Sequence, residues 1–64
     1  MAINIRLKAA RVLRGMTQKQ LAEKLGRQEI EISRYETGRA RPDPDTKHRI
    51  GEILQKPTFE LFEA

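Results

Sequence analysis

Several side chains that can donate or accept hydrogen bonds lie at helical spacing between residues 28 and 37. At about 100° per residue, one side of such a helix carries Ile30, Ser33, Arg34 and Thr37, with Glu29 at its margin. The other side carries Ile32, Tyr35 and Glu36. We therefore expect a helix over residues 28 to 36, with a buried inner face and an outward face that is free to meet a ligand.

The outward side chains have the chemistry needed to read the edges of DNA bases. Arg34 can donate two parallel hydrogen bonds to O6 and N7 of guanine, and Ile30 can pack on the methyl group of thymine. Gln28 can pair with adenine, and Glu29 can accept a hydrogen bond from N4 of cytosine. These four residues and Ser33 are the predicted base-reading set. The alternatives are an Arg34 that is solvated or bound to phosphate, and an Ile30 that is an isolated apolar surface residue.

Thr17 and Gln18 begin the helix that precedes this one. Thr17, with Gln20 three residues later, has the pattern of a capping box. Free N–H groups and the positive end of the helix dipole at such a terminus can also hold a phosphate oxygen. Capping is the structural alternative for Thr17, and the two roles are compatible. The segment from 17 to 36 is thus a helix-turn-helix, a unit that most often presents its second helix to the DNA major groove.

Glycine and proline residues divide the chain into five helical segments. The first three run from about Asn4 to Leu13 or Arg14, from Thr17 to Gly26, and from Gln28 to Glu36; the fourth follows Asp43-Pro44, and the last is PTFELFEA. The expected core contains Ile3, Leu7 and Ala10, then Leu21, Ala22 and Leu25, and then Ile50, Ile53 and Leu54. No segment alternates with period two over strand length, so the predicted fold class is all-α.

The length of 64 residues predicts one domain over 1–64, with no room for a second domain that senses a small-molecule effector. The net charge is +4, and the first twenty-two residues contain five basic residues and no acidic one. Such a concentration of positive charge is typical of a surface that binds a polyanion, and it is equally typical of a solvated helix surface. The apolar runs are too short for a membrane span or a signal peptide, so the expected location is the cytoplasm.

Catalysis has little support in this sequence. The absence of cysteine excludes a disulfide framework and a thiolate metal site. The only histidine, His48, lies between Lys47 and Arg49 without spaced acids, and we interpret it as a surface residue. No set of nucleophile, base and orienting group is visible. We therefore predict a protein that is not an enzyme and that has no cofactor or metal.

A pattern of residue types at fixed offsets covers nearly the whole chain. It consists of Leu7, Arg11, Gly15, Thr17, Gln18, Leu21, Ala22, Gly26, Ile32, Ser33, Glu36, Gly38 and Pro42. In this pattern the chain resembles the lambda-repressor-like, Cro-type (Xre) helix-turn-helix family. The resemblance implies a five-helix domain that binds double-stranded DNA, in most cases as a homodimer on a two-fold related operator, and regulates transcription.

The resemblance also implies roles for particular residues. Gln18 would contact the DNA backbone and brace the recognition helix, and Arg11 and Glu36 would form an ion pair that ties the first helix to the third. The basic loop after Gly38 would hold phosphates. The predicted phosphate contacts are therefore Thr17, Gln18, Arg27, Thr37, Arg39 and Arg41. Two positions depart from the family pattern: the turn residue is Arg27, and Gln28 precedes the third helix where a stronger N-cap is usual.

Two alternatives concern the surfaces through which the chain meets other molecules. Phe59, Leu61 and Phe62 are candidates for a dimer surface, and the alternative is that they close the core. Glu29 and Glu31 place two negative charges in the first turn of the third helix, where phosphate would repel them unless a donor pairs with them. The rival function is therefore a protein-interaction module, such as an antitoxin or adaptor, that docks through this helix.

Overall fold

Five α-helices follow one another through residues 3–63, which are the residues that the computed structural model describes. They are α1 (Ile5–Leu13), α2 (Gln18–Leu25), α3 (Glu29–Thr37), α4 (Pro44–Leu54) and α5 (Thr58–Phe62). There is no strand between residues 3 and 63, so the all-α prediction with five helices is confirmed. No helix in this part of the chain is long and apolar enough to span a membrane.

The helix starts follow the local signals in the sequence. Asn4 Oδ1 accepts the Leu7 N–H at 3.0 Å at the start of α1. Thr17 and Gln20 form the predicted capping box, because each side-chain oxygen accepts the backbone N–H of the other residue. Asp43 caps α4. Each cap satisfies an N–H group that has no partner inside its helix, which is why short helices can begin at these residues.

The core joins the inner faces of all five helices. Its buried apolar residues are Leu7, Ala10, Leu21, Ala22, Leu25, Ile32, Tyr35, Ile50, Leu54 and Leu61. α2 packs on α3 and α4, while α1 packs on α3 and α5. Helices of eight or nine residues are marginal alone, so this shared core holds α2 and α3 in place.

The structure corrects one prediction about buried residues and divides the residues of another between its two alternatives. Ile3 is 68% exposed, because α1 begins only after the Asn4 cap and Ile3 therefore lies before the helical turn that would point it inward. Among the candidates for a dimer surface, Leu61 lies in the core of the monomer at 2% exposure. Phe59 is exposed and Phe62 is half-buried. Leu61 therefore closes the core, whereas Phe59 is accessible to a partner.

Asn4 also connects the beginning of the described chain to its end. Its backbone N–H donates to the carbonyl oxygen of Glu36 at 2.8 Å, and its side-chain Nδ2 donates to the carbonyl oxygen of Leu61 at 2.7 Å. One residue thus caps α1 and holds it against the ends of α3 and α5. Nothing in the local sequence around Asn4 indicates these two distant partners.

Asp43 makes the stability of α4 dependent on pH. Its pKa lies below the ordinary value of 3.8, because its carboxylate accepts the Thr46 backbone N–H. Because the pKa is lowered in the folded state, the cap contributes its full stabilisation of the fold above pH 3.8, the ordinary pKa. This contribution is lost as the pH falls through the lower pKa of Asp43 in the folded protein. Asp43→Asn keeps the acceptor without titrating. We expect urea unfolding of Asp43→Asn to show a smaller loss of stability below pH 3.8 than the original chain; parallel curves would contradict this role.

Candidate nucleic-acid interface

Helix α3 has one face locked in the core and one face open to solvent. On the inner face Ile32 is fully buried, and Tyr35 and Glu36 are buried beside it. On the outer face Ile30 is 52% exposed, and Glu29, Arg34 and Thr37 are exposed as well. Ser33 is half-buried. The structure therefore places four of the predicted base-reading residues on one accessible side of the helix, and Gln28 is exposed just before it. We call this side the outer face of α3 and define it as Glu29, Ile30, Ser33, Arg34 and Thr37.

The N-terminus of α3 follows Gln28, which lies at the N-cap position. The helix therefore begins at Glu29, one residue later than predicted. The Glu31 carboxylate accepts the Gln28 backbone N–H at 3.0 Å and lies 3.5 Å from the Arg27 guanidinium. Glu31 thus has donors within the chain. Of the two acids, only Glu29 is left exposed on the outer face.

Arg27 is held back against α4. Its Nη2 donates to the Thr46 hydroxyl at 3.1 Å, while its Nη1 faces Glu31. Thr46 is buried, so this contact fixes the turn between α2 and α3 relative to α4. Arg27 is accordingly better placed to position the recognition helix than to extend freely toward a phosphate.

A buried polar network fixes the angle of α3. Arg11 Nε donates to Glu36 Oε2 at 2.6 Å and Nη2 donates to Oε1 at 3.3 Å, while Nη1 donates to the carbonyl oxygen of Met16 at 2.7 Å. Gln18 Nε2 donates to Glu36 Oε1 at 3.0 Å. Both charged residues are less than a tenth exposed. The pair joins α1 to the end of α3, and Gln18 joins the start of α2 to the same carboxylate.

The N-terminus of α2 keeps donors free beside this network. The Thr17 hydroxyl oxygen accepts the Gln20 N–H, so its own proton is not used by the cap. Gln18 uses one N–H of its amide on Glu36 and has a second to donate. Between residues 3 and 63, the backbone N–H groups of Gln18 and Lys19 also have no acceptor. A phosphate oxygen could accept from these groups.

The loop between α3 and α4 presents unpaired positive charge. Arg39 and Arg41 are exposed, and within the described residues neither they nor Arg34 form an ion pair. Thr37 differs from these residues, because its hydroxyl already donates to the carbonyl oxygen of Ser33 at 2.9 Å. A phosphate can only accept, so Thr37 would have to release this bond to hold one.

The titratable side chains of His48 and Tyr35 differ in their surroundings. Among residues 3–63 there is no group of three acids or histidines that could hold a metal ion, and His48 is exposed. Burial raises the pKa of the Tyr35 phenol above its ordinary value of 10.0, with the negative charge of Glu31 adding to the effect. Tyr35 therefore remains neutral at physiological pH and acts as a packing residue of α3.

Comparison with known proteins agrees with this geometry. A family model described as helix-turn-helix matches residues 7–61, which include all five helices apart from the first two residues of α1 and the last of α5. The chain belongs to the lambda-repressor-like, Xre-type helix-turn-helix family. No significant match was found among curated proteins or among solved structures.

Membership in the helix-turn-helix family makes the protein a DNA-binding regulator of transcription, in a family that is generally non-enzymatic. The sequence did not predict three contacts that hold the recognition helix, which are made by Asn4, Glu31 and Thr46. Only Glu31 carries a local signal, since an acid three residues after an N-cap position is the second half of a capping box. The other two act through partners far away in the chain.

Proposed function

We propose that this helix-turn-helix protein is a transcriptional repressor that binds a palindromic operator as a homodimer and acts in the cytoplasm. The observation that carries the proposal is the outer face of α3, which exposes Arg34 and Ile30 while its opposite side is locked by the Arg11 and Glu36 pair. Two such helices about 34 Å apart would enter successive major grooves on one side of the duplex. Occupying the operator in this way blocks transcription.

Each residue of the proposed interface has a distinct task. Arg34 reads guanine, Ile30 packs on thymine, and Gln28, Glu29 and Ser33 contact neighbouring base edges. Thr17 and Gln18 hold a phosphate at the start of α2, and Arg39 and Arg41 hold phosphates beside the half-site. Phosphate contacts fix the register of the protein on the duplex, while base contacts supply the specificity.

Selection of bound duplexes from a random pool tests the proposal. The expected result is one sequence repeated with two-fold symmetry, with half-sites one helical turn apart. The affinity should fall linearly with the logarithm of the salt concentration. Recovery of no consensus, with binding to a protein partner through α3, would favour an interaction module. A single asymmetric site would contradict the homodimer.

Arg41 offers a test of the phosphate contacts. Arg41→Gln is expected to weaken binding to specific and scrambled duplexes alike, and to lower the salt slope by about one for each bound protomer, because one fewer counterion is released at each half-site. Titrations at several salt concentrations measure both effects. Lys56→Gln is the control, since it removes the same charge beyond the other end of α4, about 15 Å away along the helix. A loss confined to one base pair would show that Arg41 reads sequence.

Phe59 is the proposed anchor of the dimer. It is 59% exposed, and Phe62 beside it is half-buried under Lys47. Phe59→Ser is expected to weaken self-association and operator binding together, by roughly tenfold in the dimer dissociation constant, because apolar area is then lost from the interface. Sedimentation at several concentrations checks this. Leu13→Ser removes an apolar side chain of α1 that is 78% exposed and should leave the dimer intact; an equal effect of both changes would contradict a dimer through α5.

A further inference from the structure

The solvent side of α1 carries an apolar surface that is not covered by α3 or α5, the helices on which α1 packs. Ile5, Ala9, Val12 and Leu13 are spaced by four, three and one residues, so they lie within about 100° of one another around the helix. Ile5 is 70% exposed, Val12 57% and Leu13 78%, and Ala9 is exposed as well. We call these four residues the α1 stripe.

The core does not need the α1 stripe. Leu7, Ala10 and Arg11 on the opposite side of α1 are buried where the helix packs on α3 and α5. A surface helix requires only one apolar face to dock on its own domain. Single exposed apolar side chains are ordinary, but a contiguous apolar strip on a small protein indicates contact with a partner.

Positive charge surrounds the α1 stripe. Arg6 and Lys8 lie on its two sides, and Arg14 follows Leu13 at the end of the helix. The first acidic residue of the chain is Glu23. Within residues 3–63 none of the three cations forms an ion pair. The surface is therefore an apolar row with a cationic rim.

We propose that the α1 stripe binds an amphipathic helix of another protein, with an apolar row flanked by Asp and Glu. The apolar row packs on Ile5, Val12 and Leu13, and the small Ala9 between them lets the two helices approach closely. The flanking carboxylates face Arg6 and Lys8, which fixes the orientation of the partner. This binding activity is separate from the proposed repressor function, because none of the four residues of the α1 stripe belongs to the proposed DNA interface or to the proposed dimer anchor.

Charge and area argue against two other occupants. A second copy of this chain would bring two cationic rims together, which is unfavourable. The stripe also offers only on the order of a few hundred Å², less than the roughly 800 Å² per partner of a stable complex, so a short helix suits it better than a dimer interface. An anionic bilayer is a poorer fit than a peptide, because α1 has no aromatic residue to anchor it at a lipid surface.

Nuclear magnetic resonance titration of the labelled full chain tests the proposal with two synthetic helical peptides. Both carry a row of leucines; glutamate flanks the row in one peptide and lysine in the other. Only the glutamate peptide is expected to bind, with saturable shifts at residues 5–14. Leu13→Ser should weaken this binding about tenfold, and Lys8→Gln about threefold. Ile3→Ser and Lys24→Gln, which change comparable side chains outside the stripe and its rim, should not weaken it.

The remaining outcomes separate this proposal from its rivals and from the repressor function. Leu13→Ser should bind the selected operator as the original chain does; loss of operator binding in a folded Leu13→Ser protein would show that α1 serves DNA binding and would overturn the proposal. So would equal binding of both peptides, no binding of the glutamate peptide, or shifts centred on α3. Binding to phosphatidylglycerol vesicles in place of the peptide, or self-association that Leu13→Ser abolishes, would assign the stripe to a membrane or to a second copy.

Discussion

Replacing Glu36 by alanine is expected to lower the free energy of unfolding by about 3 kcal/mol, because it leaves the Arg11 guanidinium buried without its charge partner. Arg11 would keep only the carbonyl oxygen of Met16, and Gln18 would lose its acceptor. For a domain of this size the melting temperature should fall by roughly 15 °C. Urea unfolding followed by circular dichroism measures the loss.

Two further variants separate the ion pair from a general effect of removing an acid. Glu52→Ala removes an exposed carboxylate from α4 and is expected to change stability by no more than about 0.5 kcal/mol. The double change Arg11→Met with Glu36→Leu removes both charges and should recover most of the stability, since two apolar residues do not leave a buried charge. Equal stability of Glu36→Ala and the original chain would mean that the pair does not hold α3.

Replacing Arg34 by alanine is expected to weaken binding by about thirtyfold for each half-site that a protomer occupies, and to remove the preference for guanine at one position of each half-site. The reason is the loss of two hydrogen bonds to one base, a contact worth about 2 kcal/mol. Because Arg34 is exposed and has no ion pair among the described residues, the fold should keep its stability. Binding measurements on operators that differ at a single base pair check the prediction.

The matched control for Arg34 is lysine at the same position. Arg34→Lys keeps the positive charge but loses the fork that donates two parallel hydrogen bonds. We expect it to retain binding to scrambled duplexes while the guanine preference falls nearly as far as in Arg34→Ala. If Arg34→Ala weakens all duplexes equally, and Arg34→Lys restores the affinity, then Arg34 holds a phosphate and a different residue reads the base.

The parts of the fold that follow from near neighbours in the chain could be predicted from the sequence. The capping box of Thr17 and Gln20, and the Asp43 cap before Pro44, each join residues three positions apart. The two faces of α3 follow from the angle of 100° per residue, which is why Ile32 is buried and Ile30 is exposed. Such signals do not depend on how the helices are arranged.

The contacts that join distant segments could not be predicted from residue pattern alone. Arg27 binds Thr46 nineteen positions later, and Asn4 binds the carbonyl of Leu61. Neither partner is marked by residue type, because many side chains could supply a hydroxyl and any residue supplies a carbonyl. The predicted burial of Ile3 was wrong for a related reason. Its apolar character fits a helical stripe, but the Asn4 cap sets where the helix begins.

The bond from the Asn4 side chain to Leu61 bears on the order in which the chain matures during translation. The ribosome synthesises α1 before α5, so the side-chain amide of Asn4 lacks its Leu61 acceptor until α5 emerges. Until then, α1 lacks one of the two helices on which it packs. We therefore expect these helices to complete their native structure only after α5 has left the ribosome, so that α1 is made before α5 but is secured only when α5 arrives.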